Sequence, residues 1–328
     1  MMPLLEVRDL KKHFTTRKRL FGHAFAQVRA VDGVSFVLNE GETLGFVGES
    51  GCGKSTLVQA ILYLERPTAG EIRYRGKLIT ERSAHDLRRH AQIIFQDPYT
   101  ALPPRMKVGD ILADPLRIHR LGDSKAIAQR VRQLMQEVGL RPERAGHYPF
   151  QFSGGQRQRI GIARALITAP ELVMADEAVS ALDVSVQAQI LNLLKDLQER
   201  HRLTYIFVSH DLGVVQHMSQ RIAVMYLGKI VELAPTDEVH RRPLHPYTRA
   251  LHSASPSLIK SRTGRIRLRG EPPNPSDPPP GCSFHPRCPI AQAICSQQTP
   301  ELKEWLPGHF AACHFALAEV TSRLGDAK

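Results

Sequence analysis

Residues Gly48 to Thr56 read GESGCGKST and satisfy the pattern Gly-x4-Gly-Lys-Ser/Thr. Each residue type answers to phosphate chemistry. Gly48, Gly51 and Gly53 let the backbone turn sharply and bring its N–H groups against phosphate oxygens. Lys54 places a cation beside the β- and γ-phosphates, and the Ser55 hydroxyl is a hard oxygen ligand suited to Mg2+. Glu49, Ser50, Cys52 and Thr56 complete the stretch as candidate nucleotide contacts. The flanks fit this chemistry. Thr43 to Val47 reads as a buried strand, and Leu57 to Leu64 as a helix whose N-terminus faces the phosphates. This is a nucleotide-binding loop.

A second pair of groups suits hydrolysis. The apolar run from Leu172 ends in Asp176 and Glu177. After a phosphate loop, a carboxylate at the end of a buried strand can hold Mg2+ through water, and its neighbour can polarise an attacking water. Phe14, just after a first strand, is open to two readings: stacking on an adenine or packing in a core.

The elements that must carry these groups alternate. Leu4 to Leu10 and Val34 to Leu38 read as strands joined by a basic loop around Arg17 to Arg19. Gly70 to Ile79 reads as a strand pair, and Ala91 to Phe95 as a buried strand ending at Gln96. From Asp97, prolines at 98, 103, 104 and 115 predict a broken surface loop. Ser124 to Val138 has Ile127, Val131, Leu134 and Val138 at helical spacing, stopped by Gly139. Ser153-Gly154-Gly155-Gln156 opens another helix, which runs to Leu166. Glu171 to Ala175 and Thr204 to Ser209 read as buried strands separated by a helix from Val184 to Arg200, the second ending at His210. Arg221 to Leu227 and Lys229 to Leu233 form a hairpin around Gly228. The expected fold is α/β with a mostly parallel sheet, an antiparallel part and a helical insertion.

Composition limits the partners. No run of about 18 apolar residues spans a bilayer, and the N-terminus lacks the apolar core of a signal peptide. A cytoplasmic location is expected. The net charge is +12, and Arg241 to Gly270 holds eight Lys/Arg with no Asp or Glu. That stretch suits anionic lipid or nucleic acid, or simply a solvated face. An aromatic content of 6%, with no aromatics interleaved in the basic run, argues against a platform for single-stranded nucleic acid.

The string FSGGQRQRI (Phe152 to Ile160) resembles the signature motif of ATP-binding-cassette (ABC) ATPases, and MADEAVSALDVS (Met174 to Ser185) resembles their Walker B motif and D-loop. Gln96 is similar to their Q-loop glutamine and His210 to their switch histidine, all in the family's order. The resemblance implies a P-loop NTPase fold and ATP hydrolysis with Mg2+. It assigns Lys54, Gln96, Glu177 and His210 to catalysis, and Ser55, Gln96 and Asp176 to Mg2+. It places Ser153, Gly154, Gly155 and Gln156 on the γ-phosphate of ATP held by an opposite subunit, Asp183 at the dimer seam, and Phe14 on adenine. Ala178 stands where relatives usually have Pro, and Phe152 where Leu is commoner; neither departure removes a catalytic group.

IFQDPYTAL (Ile94 to Leu102), HPYTRAL (His245 to Leu251), a proline-dense linker from Glu271 to Gly281 and a cysteine-bearing tail are similar to the dipeptide/oligopeptide/nickel branch of bacterial importers. Within it the chain resembles the second of two paired ATPase subunits. The implied partners are the other, homologous ABC ATPase subunit of the pair, two membrane permease subunits and an extracellular or periplasmic solute-binding protein, with no nucleic acid. The implied place is the cytoplasmic face of the membrane. The implied domains are a nucleotide-binding core at 1–96 and 160–245, a helical subdomain at 97–159 and an extension at 246–328. Nucleic-acid and ribosome-acting cassettes are the rival class, disfavoured by the single cassette and the short insertion.

Cys282, Cys288, Cys295 and Cys313 are separated by five, six and seventeen residues. Disulfides do not suit a reducing cytoplasm, and a zinc site usually includes a Cys-x2–4-Cys knuckle, which is absent here. Three readings stay open: a [4Fe–4S] cluster, which the branch is thought to carry in this tail, zinc, or unliganded thiols. The tail is short and proline-rich, so a metal is expected to supply the order that a core cannot.

Overall fold

A computed structural model describes residues 2–16, 26–254, 268 and 270–317. In chain order the elements are β1 (Leu5–Thr16), β2 (Ala26–Leu38), β3 (Thr43–Val47), α1 (Lys54–Ile61), β4 (Ala69–Tyr74), β5 (Lys77–Leu78), α2 (Ala84–His90), β6 (Ala91–Ile94), α3 (Pro98–Ala101), α4 (Val108–Ile118), α5 (Ser124–Glu137) and α6 (Gly154–Leu166). They continue as β7 (Leu172–Asp176), α7 (Val184–His201), β8 (Thr204–Ser209), α8 (Leu212–Met218), β9 (Arg221–Tyr226), β10 (Lys229–Pro235), α9 (Thr236–Arg241), α10 (Pro246–Ala254), α11 (Ala293–Gln297), β11 (Lys303–Leu306) and β12 (His309–Ala311). Among the described residues no helix is long and apolar enough to cross a membrane. The chain divides into two compact units, one of residues 1–38, 43–78 and 209–328, the other of 39–42 and 79–208.

In the first unit β2, β1, β4 and β5 form an antiparallel sheet. Leu5 faces Leu38, Val7 faces Phe36 and Leu10 faces Val34 across the β1–β2 pair. Leu10 is three residues from Val7, which strict alternation would send to the other face. A bulge at Asp9 (φ 44°), where the register shifts, absorbs the extra residue and keeps Leu10 buried. β3 pairs with β9 in parallel, and β9 turns back antiparallel into β10 through Gly228 (φ 76°). Every residue of β3 is buried. Gly45 lets α8 lie directly on it, since a Cβ there would stand 2.2 Å from Val215 Cγ1.

The second unit holds three parallel strands, with β7 between β6 and β8. β7 and β8 are buried along their whole lengths, the burial expected of parallel strands covered on both faces. α7 presents Ile190, Leu193, Leu194 and Leu197 as its buried stripe. α5 begins at Asp123, whose side chain accepts from Ala126 N, and its turn ends at Gly139 (φ 73°).

Four sequence expectations change. The proline-rich stretch after Asp97 is not a broken surface loop, because it contains α4 with Pro115 inside it. Val108, Ile111, Leu112 and Leu116 form one buried face. That packing outweighs the roughly 3 kcal/mol that an interior proline costs a helix. Helices α2 and α8, too short for a visible period, were not expected. Phe14 lies within β1 rather than after it, half-buried opposite Val28, with Lys12 Nζ 4.7 Å from the ring centroid. The tail builds structure of its own. β12 adds antiparallel to β10 and β11 to β12, over a small core that includes Leu244, Ala311 and Ala316. The basic loop at Arg17 to Arg19 and much of the basic stretch between Arg241 and Gly270 lie outside the described residues.

Candidate functional site

The phosphate loop joins β3 to α1 by the route its glycines allow. Gly51 (φ 78°) and Gly53 (φ 108°) are left-handed. A Cβ at Gly53 would stand 2.0 Å from Ala30 O, and one at Gly48 would stand 2.3 Å from Met225 O. No side chain caps the α1 N-terminus, and a helix N-terminus suits an anion. Lys54 is only 4% exposed, and its ammonium donates to Gly48 O (2.8 Å) and Glu49 O (3.0 Å) across the loop. Burial pushes the Cys52 thiol up in pKa, opposed by the nearby Lys54 charge. Ser50 is exposed, and Ser55 and Thr56 are half-buried on the first turn of α1.

In the second unit, Asp176 ends β7 almost fully buried, and Glu177 follows with φ 49°. That left-handed residue turns the chain sharply at the strand end, held by Glu177 N donating to Val208 O at 2.9 Å. Gln96 Nε2, just past β6, donates to Glu177 Oε2 at 2.8 Å. Ser180 Oγ closes the turn on Glu177 O at 3.0 Å. Two residues 81 positions apart in the chain are thereby joined around one carboxylate. Asp183 is the N-cap of α7, and exposed.

Ser153 caps α6 in a reciprocal box. Gln156 N donates to Ser153 Oγ (3.4 Å), and Ser153 N donates to Gln156 Oε1 (3.2 Å). Gly155 sits where a Cβ would meet Val186 Cγ1 at 2.6 Å. The buried Phe152 ring carries the Arg144 guanidinium 4.0 Å from its centroid. Arg144 also reaches Gln156 Oε1 at 3.4 Å, so the aromatic at this position supports the cap. Ala178 is buried, and nothing in the structure explains its type. His210, in the first unit, is exposed at the end of β8.

Cys282, Cys288, Cys295 and Cys313 line one pocket together with His245 and Phe284. Cys282 N donates to Cys295 O at 2.7 Å, and Gly281 permits that approach, because a Cβ there would stand 2.4 Å from Cys295 O. Burial raises the thiols of Cys282 and Cys288 and pushes Cys313 up to about 11. Among the described residues no three His, Cys, Asp or Glu side chains stand so that they could hold a metal ion. His245 is fully buried, and burial pushes it down to about 4, so it is a neutral imidazole.

Some residues of this region carry no sequence signal of their own. Glu232, fully buried on β10, accepts from Leu244 N (2.8 Å), His245 N (2.8 Å) and His309 Nε2 (2.7 Å). One carboxylate thereby fixes the start of α10 and the tail hairpin. Arg287 pairs with Glu49 of the phosphate loop. The HPYTRAL string and the four cysteines marked the neighbourhood.

Residues 31–180 match the ABC transporter family, and residues 231–295 match the family described as Oligopeptide/dipeptide transporter, C-terminal region. The chain is 52% identical over 318 residues to the oligopeptide transport ATP-binding protein AppF of Bacillus subtilis (strain 168), covering 95% of this chain and 97% of that protein. It is 49% identical over 321 residues to the di/tripeptide transport ATP-binding protein DppF of Pseudomonas aeruginosa (strain UCBPP-PA14), covering 96% and 98%. A solved dimeric, post-hydrolysis structure of the ATP-binding cassette MJ0796 bound to ADP and Pi superposes with a TM-score of 0.62 at 27% identity, over 71% of this chain and 98% of that one.

Proposed function

This chain belongs to the ATP-binding subunits of ABC transporters, in their oligopeptide/dipeptide group, and on that premise we propose that it drives uptake of di- and oligopeptides across the inner membrane. As an ABC importer ATPase it hydrolyses ATP. The observation that carries the mechanism is the Gln96–Glu177 hydrogen bond at 2.8 Å. It orients the carboxylate that would polarise a water, while the left-handed turn fixes where the carboxylate stands.

Each unit carries an oxygen group whose chemistry suits Mg2+. Ser55 offers a hydroxyl on the first turn of α1, and Asp176 offers a buried carboxylate at a strand end. The ion, when bound, neutralises charge on the β- and γ-phosphates. Lys54 trades its loop carbonyls for phosphate oxygens, the uncapped α1 N–H groups bind the same anion, and His210 reaches the γ-phosphate. The capped N-terminus of α6, at Ser153 to Gln156, serves ATP bound to a second, homologous ATPase subunit, with Asp183 at that seam. Residues 97–159 act as the helical subdomain between the two parts of the core, and 246–328 as the extension. Two membrane permease subunits and an extracellular or periplasmic solute-binding protein complete the importer, with this chain at the cytoplasmic face of the membrane.

For the four thiols that line one pocket the proposed occupant is a [4Fe–4S] cluster, with zinc as the alternative. The test of transport is reconstitution with the membrane subunits that co-purify with this chain. ATPase activity stimulated by binding protein loaded with di- or oligopeptide is expected; stimulation only by a nickel complex or another solute would defeat the peptide reading.

A further inference from the structure

The C-terminal extension reaches into the phosphate loop at one residue, Glu49. Arg287 Nη1 donates to Glu49 Oε2 at 2.8 Å and Nη2 to Glu49 Oε1 at 3.0 Å, a two-pronged pair. The Arg287 side chain is 7% exposed and that of Glu49 27%, so solvent reaches the pair from the Glu49 side only. The main chain of the same residue is held as well, since Glu49 N donates to Tyr247 Oη at 2.8 Å. Tyr247 is fully buried and its phenol is pushed well up in pKa by burial, so it stays neutral. It packs tilted against Tyr226 (4.7 Å between centroids) and Phe284 (5.5 Å).

Arg287 ends a one-turn 3-10 helix, His285–Arg287, that lies between Cys282 and Cys288. A third strap comes from the proline-dense linker, where Pro275 O accepts from Arg29 N at 3.2 Å. The neighbouring Ala30 carbonyl is the atom that Gly53 must approach. The linker thus holds the residue next to the one that Gly53 faces.

We propose that Arg287 and Tyr247 are positioning residues for the phosphate loop. The extension fixes the Glu49 backbone, and through it the carbonyls of Gly48 and Glu49 that hold Lys54. ATP therefore binds a loop already set in its phosphate-binding shape, and loosening either strap adds an ordering cost to binding. The effect falls on nucleotide affinity and not on the hydrolytic step, whose groups are Gln96 and Glu177. This rests on the assignment of Gly48–Thr56 as the ATP loop.

The test measures ATP affinity with a fluorescent nucleotide, and KM and kcat in the assembled complex, for Arg287→Ala, Arg287→Lys, Tyr247→Phe, Glu49→Gln and the Arg287→Ala/Glu49→Gln pair. Tyr247→Phe keeps the ring packing and removes only the oxygen. Arg287→Ala should weaken ATP binding about tenfold, the scale of a lost charge-assisted pair. KM should rise while kcat stays near the wild-type value, Arg287→Lys should recover part of the loss, and the double variant should lose no more than the worse single one. Emission from Trp305, the chain's single tryptophan, reports whether the extension is still folded. Wild-type ATP affinity in Arg287→Ala and Tyr247→Phe, or additive losses in the double variant, would overturn the proposal. A wild-type chain that bound no ATP would overturn the loop assignment itself.

Discussion

The phosphate loop and the four-cysteine extension lie in the same unit and meet at Glu49, yet their sites are made from different material. The loop is nine consecutive residues whose contacts are mostly backbone, and its demands are steric: left-handed φ values and room where a Cβ would collide. The extension gathers side chains from β10, α10 and a tail reaching residue 313, and its demands are electrostatic and packing ones. One site therefore fails by adding an atom, the other by removing a partner.

The largest expected effect sharpens that contrast. In Gly53→Ala the new Cβ would lie 2.0 Å from Ala30 O, at a φ that side chains rarely adopt. ATP affinity should fall by well over tenfold, beyond about 1.4 kcal/mol, while Trp305 emission stays native. A near-normal affinity would show that the loop tolerates what its geometry forbids.

The converse substitution is Glu232→Ala. It leaves the N–H groups of Leu244 and His245 and the His309 ring without their buried partner. A cost of roughly 3–5 kcal/mol is expected, seen in Trp305 emission during urea unfolding. A loss under about 1 kcal/mol would mean that water replaces the carboxylate.

That difference in material explains what the sequence could and could not disclose. Lys54, Asp176, Glu177 and the cap at Ser153 were legible because each sits in a contiguous string whose spacing is its function. The Gln96–Glu177 bond joined two such strings. The tail hairpin was not legible, because β12 is three residues long and pairs with a strand some eighty positions earlier. Its order followed from Glu232 and the small core beneath Trp305, neither of which has a local pattern. α4 was hidden by Pro115, since local propensity argued against a helix that tertiary packing then enforced.

A smaller effect is set by pH. His245 has a folded pKa of about 4 against an ordinary 6.5. Between those values the unfolded chain takes up a proton and the folded one does not, so stability is full above 6.5 and falls as pH drops toward 4. The loss should approach about 3 kcal/mol, followed by Trp305 emission, and His245→Asn should flatten that slope. The slope would be misassigned if the variant retained it.

The central claim is that this chain is an ATPase whose water is activated by Glu177. Its most direct test is ATP binding and ATP turnover measured side by side in the assembled importer for Glu177→Gln. The amide keeps the shape and the link to Gln96 but cannot take a proton. Turnover should fall about a hundredfold or more with ATP still bound tightly, trapping a closed pair of subunits. Turnover near the wild-type rate, or loss of ATP binding together with activity, would contradict it.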